Sequence, residues 1–360
     1  MSNSQQVYHS VSHSIVPNCP TQCVTQARNL AWFITGLIVA AHCQLTCVAR
    51  HVLWDGQRDS VVQRLRRVLM NTRLDVRTLY GPMVGYVLRW LNNAQGVTLV
   101  IDRTMIGAAL NILMVSVAFR GRTLPLAWKV QKKQGTFQLR YVQAALRFVA
   151  QWAPANAQVW VVGDREFQDV ALQAFVRDEL GWHFVQRLDH NLWIFPRRGR
   201  AFPLKHSGLR RGEFRSFGCV QVTRQRFGWV ELIGYWRSAE DEPWYLISDQ
   251  TLGRRAVRIY QRRFWIEEMF RDFKSHGWDI QASGLRIPAR FERLLLMIAL
   301  AYVWFVQLGL FVVKRGLRRW VDRRARRTLS YFRLGWNWLD RLLARDQAPP
   351  LLIGAFGHPK

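Results

Sequence analysis

Three acidic residues stand where an acid can do chemistry. Asp102 closes the apolar run VTLVID after Gly96, and Asp164 closes a second run, QVWVVGD (158–164). An acid at the C-terminal end of a strand is exposed at the sheet edge yet fixed by the sheet, which suits a hard cation. Each alone also has the form of a turn or helix-cap residue. The third acid, Glu267, lies in YQRRFWIEEMFRDFK (260–274). On a helix turning about 100° per residue, Tyr260, Arg263, Arg271 and Lys274 all fall within about 40° of Glu267. Trp265, Ile266, Met269 and Phe273 fall away from it and are free to pack into a core. Such a helix buries an aromatic face and aims an acid, set among cations and a phenol, at something anionic. The competing reading is an ordinary amphipathic helix with paired surface charges. Glu268 is a rival by adjacency, but it sits about 100° off the stripe.

Strands and helices must carry these residues. After Gly96 come VTLVID, NILMVSVAF (111–119) and LPLAWKV (124–130), then a helix over 138–151, the QVWVVGD strand, a helix over 167–180 with Gly181 past its end, and WHFVQRL (182–188). Three hairpin-linked strands followed by alternating helices and strands predict an α/β fold, a mixed sheet with helical cover. Residues 93–190 form its first part. Residues 191–255 read as a β-rich insertion with the short runs CVQVTRQ, WVELIGYW and PWYLIS, and 256–345 as core completion and C-terminal helices. Ahead of the sheet, 26–92 reads as a helical unit. Leu30, Phe33, Ile34, Leu37, Ile38 and Ala41 recur at helical spacing, followed by scattered Arg58, Arg64, Arg66, Arg67, Arg73 and Arg77. This is a DNA-binding unit or a solvated surface. Polar residues 1–25 predict a flexible N-terminus, and 346–360 a short tail.

The charge balance narrows the partner. Of 360 residues, 52 are Lys or Arg against 24 Asp or Glu, a net +28 with a pI near 11.3. That surplus attracts a polyanion, with nucleic acid the default. It is concentrated: 196–226 holds nine Lys/Arg against one acid, and 314–345 eleven against two. Cys19/Cys23 and Cys43/Cys47 make two Cys-x3-Cys pairs. That spacing is wider than structural zinc sites usually take, so buried free thiols are the better reading. An odd cysteine count and no signal peptide argue for a reducing cytoplasm, which is the expectation. Residues 294–313, LLLMIALAYVWFVQLGLFVV, are long enough to span a membrane. With one such segment in an otherwise soluble pattern, the expectation is a buried core helix and no membrane.

Tyr260-x2-Arg263-x3-Glu267-x6-Lys274 resembles the Tyr-Arg-Glu-Lys signature of the insertion-sequence DDE transposases of family four. VIDRT followed by a strand and LPLAW, and GDREF at the second acid, are similar to that family as well, and the resemblance runs to SYFRLG (330–335). It implies a ribonuclease-H-like core that brings Asp102, Asp164 and Glu267 together around two Mg²⁺ ions, with Mn²⁺ as a substitute. Two metals a few ångströms apart activate a water or 3′-hydroxyl and stabilise the leaving oxygen. By the same resemblance, Arg263 and Lys274 grip phosphates, Tyr260 hydrogen-bonds one, and Arg165 contacts DNA; Arg271, on the Glu267 stripe, is expected to contact DNA as well. Trp244 resembles an insertion-domain Trp that stacks on a flipped base. The partners implied are double-stranded DNA, as transposon terminal inverted repeats and target, and a second copy of the chain. The setting implied is the nucleoid of a prokaryotic cell. A nuclease or domesticated DNA-binding relative without integration activity is the alternative.

Overall fold

The structure, a computed structural model, describes residues 2–132, 135–323 and 327–352. Part of the expected tail (353–360) and three positions of the basic stretch 314–345 lie outside the described residues. Five helices precede the first strand: α1 (Asn3–Ser14), α2 (Val24–Ala40), the short α3 (Leu45–Val48), α4 (Arg58–Met70) and α5 (Val76–Leu91). The first corrects the expectation of a flexible N-terminus. Ser2 and Gln5 form a capping box, and Val7, Val11 and Ile15, spaced by four, are fully buried, with α1 packed on α2. Polar composition conceals this helix, because its few apolar residues all fall on one stripe.

The next three strands are β1 (Val97–Ile106), β2 (Leu110–Phe119) and β3 (Arg122–Gln131), followed by α6 (Leu139–Ala150), β4 (Val159–Gly163), α7 (Val170–Ala174) and β5 (His183–Leu188). Gly107 and Gly121, at φ of +53° and +83°, take the left-handed turns that let β1–β2–β3 follow as hairpins. The predicted helix over 167–180 is broken: a single turn at Arg165–Phe167, then α7, then a π-helical turn at Phe175–Glu179. Then come β6 (Trp193–Pro196), β7 (Phe202–Pro203), β8 (Phe214–Val222), β9 (Phe227–Tyr235) and β10 (Trp244–Ser248).

All ten strands form one mixed sheet in the order β3-β2-β1-β4-β5-β10-β9-β8-β6-β7. The pairs β1–β4 and β4–β5 are parallel and the others antiparallel. Residues 191–255 are therefore not set apart from the core. β10 pairs along β5, from Tyr245↔Leu188 to Ser248↔Val185, and the rest of the segment extends the same sheet.

The chain ends in helices: α8 (Arg254–Gln261), α9 (Trp265–Phe273), α10 (Pro288–Lys314) and α11 (Tyr331–Leu343). The helix α10 is long and apolar enough to cross a membrane, with a mean hydropathy of 2.3, yet 83% of its apolar window is buried inside the protein. It packs against α2, α4, α5, β3 and α11, joining the N-terminal helices to the sheet. Tyr302 on α10 meets Phe273 on α9 edge to face at 5.2 Å, so the long helix backs the one that carries Glu267.

Candidate active site

The two aspartates are set side by side by strand pairing. β1 and β4 run parallel with Ile101 opposite Gly163, and Asp102 and Asp164 are the next residue on each. Contrary to the sequence reading, β1 does not end at Asp102. It continues to Ile106, because RTMI stays hydrogen-bonded to β2 after β4 has stopped. Asp102 is thus buried within a hairpin strand yet lies past the end of its parallel partner. Each carboxylate is fixed locally. Oδ1 of Asp102 accepts the Arg103 amide at 2.8 Å, and Oδ1 of Asp164 accepts the Glu166 amide at 2.9 Å. The Arg103 and Glu166 side chains then bind each other, closing the gap between the two strand ends. From β5 the buried Gln186 donates to the carbonyls of Gly163 and Asp164, at 3.1 and 2.6 Å. Arg103, Glu166 and Gln186 escaped the sequence reading, although Arg103 directly follows Asp102, Glu166 is two residues past Asp164, and that proximity was the available signal.

Glu267 arrives on α9, and Arg263 joins it to the aspartates. One guanidinium nitrogen of Arg263, Nη2, lies 3.3 Å from Oδ2 of Asp102 and 3.3 Å from Oδ2 of Asp164. Nη1 donates to Oε1 of Glu267 at 2.5 Å. Three carboxylates from three separate elements thus converge on one cation. Glu268 turns the other way, to Arg122 at 3.2 Å and Arg271 at 2.9 Å, so of the two neighbouring glutamates it is Glu267 that shares Arg263 with the aspartates. Burial pushes the Asp102 carboxyl up to about 6. Arg263 and the Arg103 amide pull against it, while Asp164 and Glu267 add to it. Burial also works against the charge on Arg263, but the carboxylates outweigh it and hold the guanidinium above its ordinary value.

The signature segment is not one straight helix. Residues Arg262–Phe264 form a 3₁₀ turn between α8 and α9, which shifts the phase of everything before it relative to Glu267. Tyr260 is consequently buried in the core, 5.2 Å from Trp244 and 6.3 Å from Phe264 between ring centres. Burial raises its hydroxyl above the ordinary value. Trp244, expected to offer a stacking face, is also buried, stacked on Phe264 at 5.6 Å and edge-on to Tyr235 at 6.1 Å. Together they form the aromatic wedge that seats α8 and α9 on the sheet. Trp265, assigned to the buried face, is only half-buried. Lys274 donates to Thr104 Oγ1 at 2.7 Å on the extended part of β1, and burial lowers its ammonium. Arg165 points away from the carboxylates to Glu242 at 2.9 Å, with Arg187 nearby on the same acid at 3.5 Å. Arg165 and Glu242 border a cavity of about 300 Å³ with His190, Lys205 and Trp236. Arg271 is exposed.

The donor set, carboxylate oxygens alone, is that of a hard divalent cation. The upward push on Asp102 comes first from its burial, with the nearby Asp164 and Glu267 adding to it. Among the described residues no group of three His, Cys, Asp or Glu side chains is arranged to ligate a single ion directly; the acids are spaced around Arg263. The four N-terminal cysteines do not converge either. Cys19 and Cys43 are buried, with burial pushing each thiol up to about 12, while Cys23 is exposed and Cys47 half-buried.

Residues 97–304 match the family model described as a transposase DDE domain. No curated protein matches the chain. Among solved structures the chain is similar to one described as the cryo-EM structure of a piggyBac transposase synaptic complex with hairpin DNA. Identity is 11%, covering 99% of this chain and 85% of that one, at a TM-score of 0.49. That similarity is too distant to bear on function.

Proposed function

Since the chain belongs to the transposase DDE-domain family, matched over more than half its length, we propose that it is a cut-and-paste transposase whose reaction centre is Asp102, Asp164 and Glu267. The observation that carries this reading is the convergence of those three carboxylates, from β1, the end of β4 and α9, on the single guanidinium of Arg263. A sheet order in which the β1–β2–β3 hairpins adjoin the parallel pairs β1–β4 and β4–β5 supports a ribonuclease-H-like core.

Asp102, Asp164 and Glu267 would hold two divalent cations, Mg²⁺ or Mn²⁺. Bound there, the cations supply the charge that activates water or a 3′-hydroxyl and stabilises the leaving oxygen. The amides of Arg103 and Glu166 hold one oxygen of each aspartate, leaving the other, Oδ2, turned to the common centre. Arg263 and Lys274 grip phosphates next to the cut, the first through paired N–H groups and the second as a point charge. Arg165 and the exposed Arg271 meet the flanking strand. Tyr260 and Trp244 serve by seating the helices. The protein binds terminal inverted repeats, nicks, and joins 3′ ends to target DNA, with a hairpin intermediate as the family-four signature implies. Two ends must be held at once, so it acts as a dimer.

The test uses the DNA flanking the gene as substrate with Mg²⁺. Asp102→Asn is expected to abolish cleavage and joining while leaving end binding nearly intact. Cleavage retained by this variant would remove the assignment, and wild-type cleavage without joining would make the protein a nuclease.

A further inference from the structure

The position of Arg263 has a cost for the reaction just proposed. Its Nη2 lies 3.3 Å from the inward oxygen of both aspartates, and Nη1 takes Glu267. Those are the oxygens turned to the centre where a divalent cation would sit, and a guanidinium occupying that centre sets its own positive charge and bulk against an incoming cation. The guanidinium therefore stands in for the cation. Three carboxylates at close quarters repel one another, most strongly at the buried Asp102, and Arg263 offsets part of that repulsion. It is not fully satisfied in doing so: its Nε is buried without a hydrogen-bond partner. The side chain is only 13% exposed. A DNA phosphate presents two or more anionic oxygens to a guanidinium and accepts the paired N–H groups that carboxylates now share.

We infer that Arg263 is an exchangeable occupant of the cation site. In the DNA-free protein it holds the three acids and weakens metal binding; a DNA phosphate draws it off and opens the acids to metal. The inference rests on the reading of Asp102, Asp164 and Glu267 as metal ligands. It makes DNA binding and metal loading reciprocal, each raising the affinity for the other by the same factor. It also reconciles the phosphate-gripping role implied by the signature with the acid-holding role seen in the structure, since one side chain does each in turn.

The test is Mn²⁺ binding to the full-length protein by calorimetry, with and without a short duplex. Without DNA, Arg263→Gln is expected to bind Mn²⁺ on the order of tenfold more tightly than wild type, a typical coupling. Duplex should tighten wild type toward the variant and change the variant little. Arg262→Gln removes a neighbouring charge that bonds Thr98 rather than the acids, and should have a much smaller effect. Equal Mn²⁺ affinity in wild type and Arg263→Gln without DNA would overturn the inference while leaving the metal site standing. If Asp102→Asn leaves Mn²⁺ binding unchanged in both backgrounds, the metal-ligand reading itself fails. Should Arg263→Gln not fold, Arg263→Lys keeps a charge but cannot span three carboxylates, and is expected to bind Mn²⁺ more tightly than wild type by a smaller factor; no gain there would equally overturn the inference.

Discussion

Asp102 shows what the site costs the fold. Burial lifts its carboxyl to about 6, against an ordinary value of 3.8, so the folded protein holds this proton to a higher pH than the unfolded chain does. Raising the pH from about 4 through 6 then ionises a group that the fold would keep neutral, and stability falls over that window. A shift of about two units corresponds to roughly 3 kcal/mol. Asp102→Asn, which keeps the shape and removes the charge, is expected to match wild type in denaturant unfolding near pH 4. Above pH 7 it should be more stable by up to about that amount. A variant less stable than wild type at neutral pH would mean that Arg263 more than compensates the buried charge. Asp272 and Asp340 are also raised by burial but are untouched in the variant, so the difference between Asp102→Asn and wild type isolates Asp102.

At the scale of elements, α9 is placed by two devices. Behind it, Asp272 takes Arg122 of β3 at 2.8 Å and the Tyr302 hydroxyl of α10 at 3.3 Å. Further back, α10 and α11 cross at a pair of glycines: a Cβ on Gly309 would stand 1.9 Å from the Tyr331 carbonyl oxygen, and one on Gly335 2.0 Å from that of Phe305. Gly309→Ala is expected to cost at least about 2 kcal/mol, since backbone must move to admit the methyl; an unchanged midpoint of thermal unfolding would show that the crossing is looser. Such elements were legible to different degrees. The five strands before residue 190 declared themselves by apolar runs and turn residues, and Glu267 by its helical stripe. The burial of Tyr260 and Trp244 was not legible, because a 3₁₀ turn at Arg262–Phe264 breaks the 100° phase that placed Tyr260 on the charged side. Nor was the attachment of β10 to β5, since a strand's local pattern says nothing of which strand it will pair with. Helix α1 was hidden by polar composition, although Val7, Val11 and Ile15 were spaced to be found.

For the whole molecule the governing quantity is charge. The exposed arginines Arg197, Arg198, Arg200, Arg210, Arg211, Arg224 and Arg226 stand on and around β6–β9, and Lys314, Arg315, Arg319 and Arg323 around the end of α10. If these basic faces are the proposed DNA surfaces, binding would release counterions, and affinity for nonspecific duplex is expected to fall steeply with salt, by on the order of 10³-fold between 50 and 200 mM. A flat response would count against the basic faces as DNA surfaces. The central claim is that Glu267 completes a reaction centre with Asp102 and Asp164. Its most direct test is cleavage of the flanking-repeat DNA in Mg²⁺ by the neighbouring variants Glu267→Gln and Glu268→Gln. Glu267→Gln is expected to lose cleavage while still binding the DNA, and Glu268→Gln, whose side chain faces Arg122 and Arg271, to keep it. Cleavage preserved in Glu267→Gln would contradict the account.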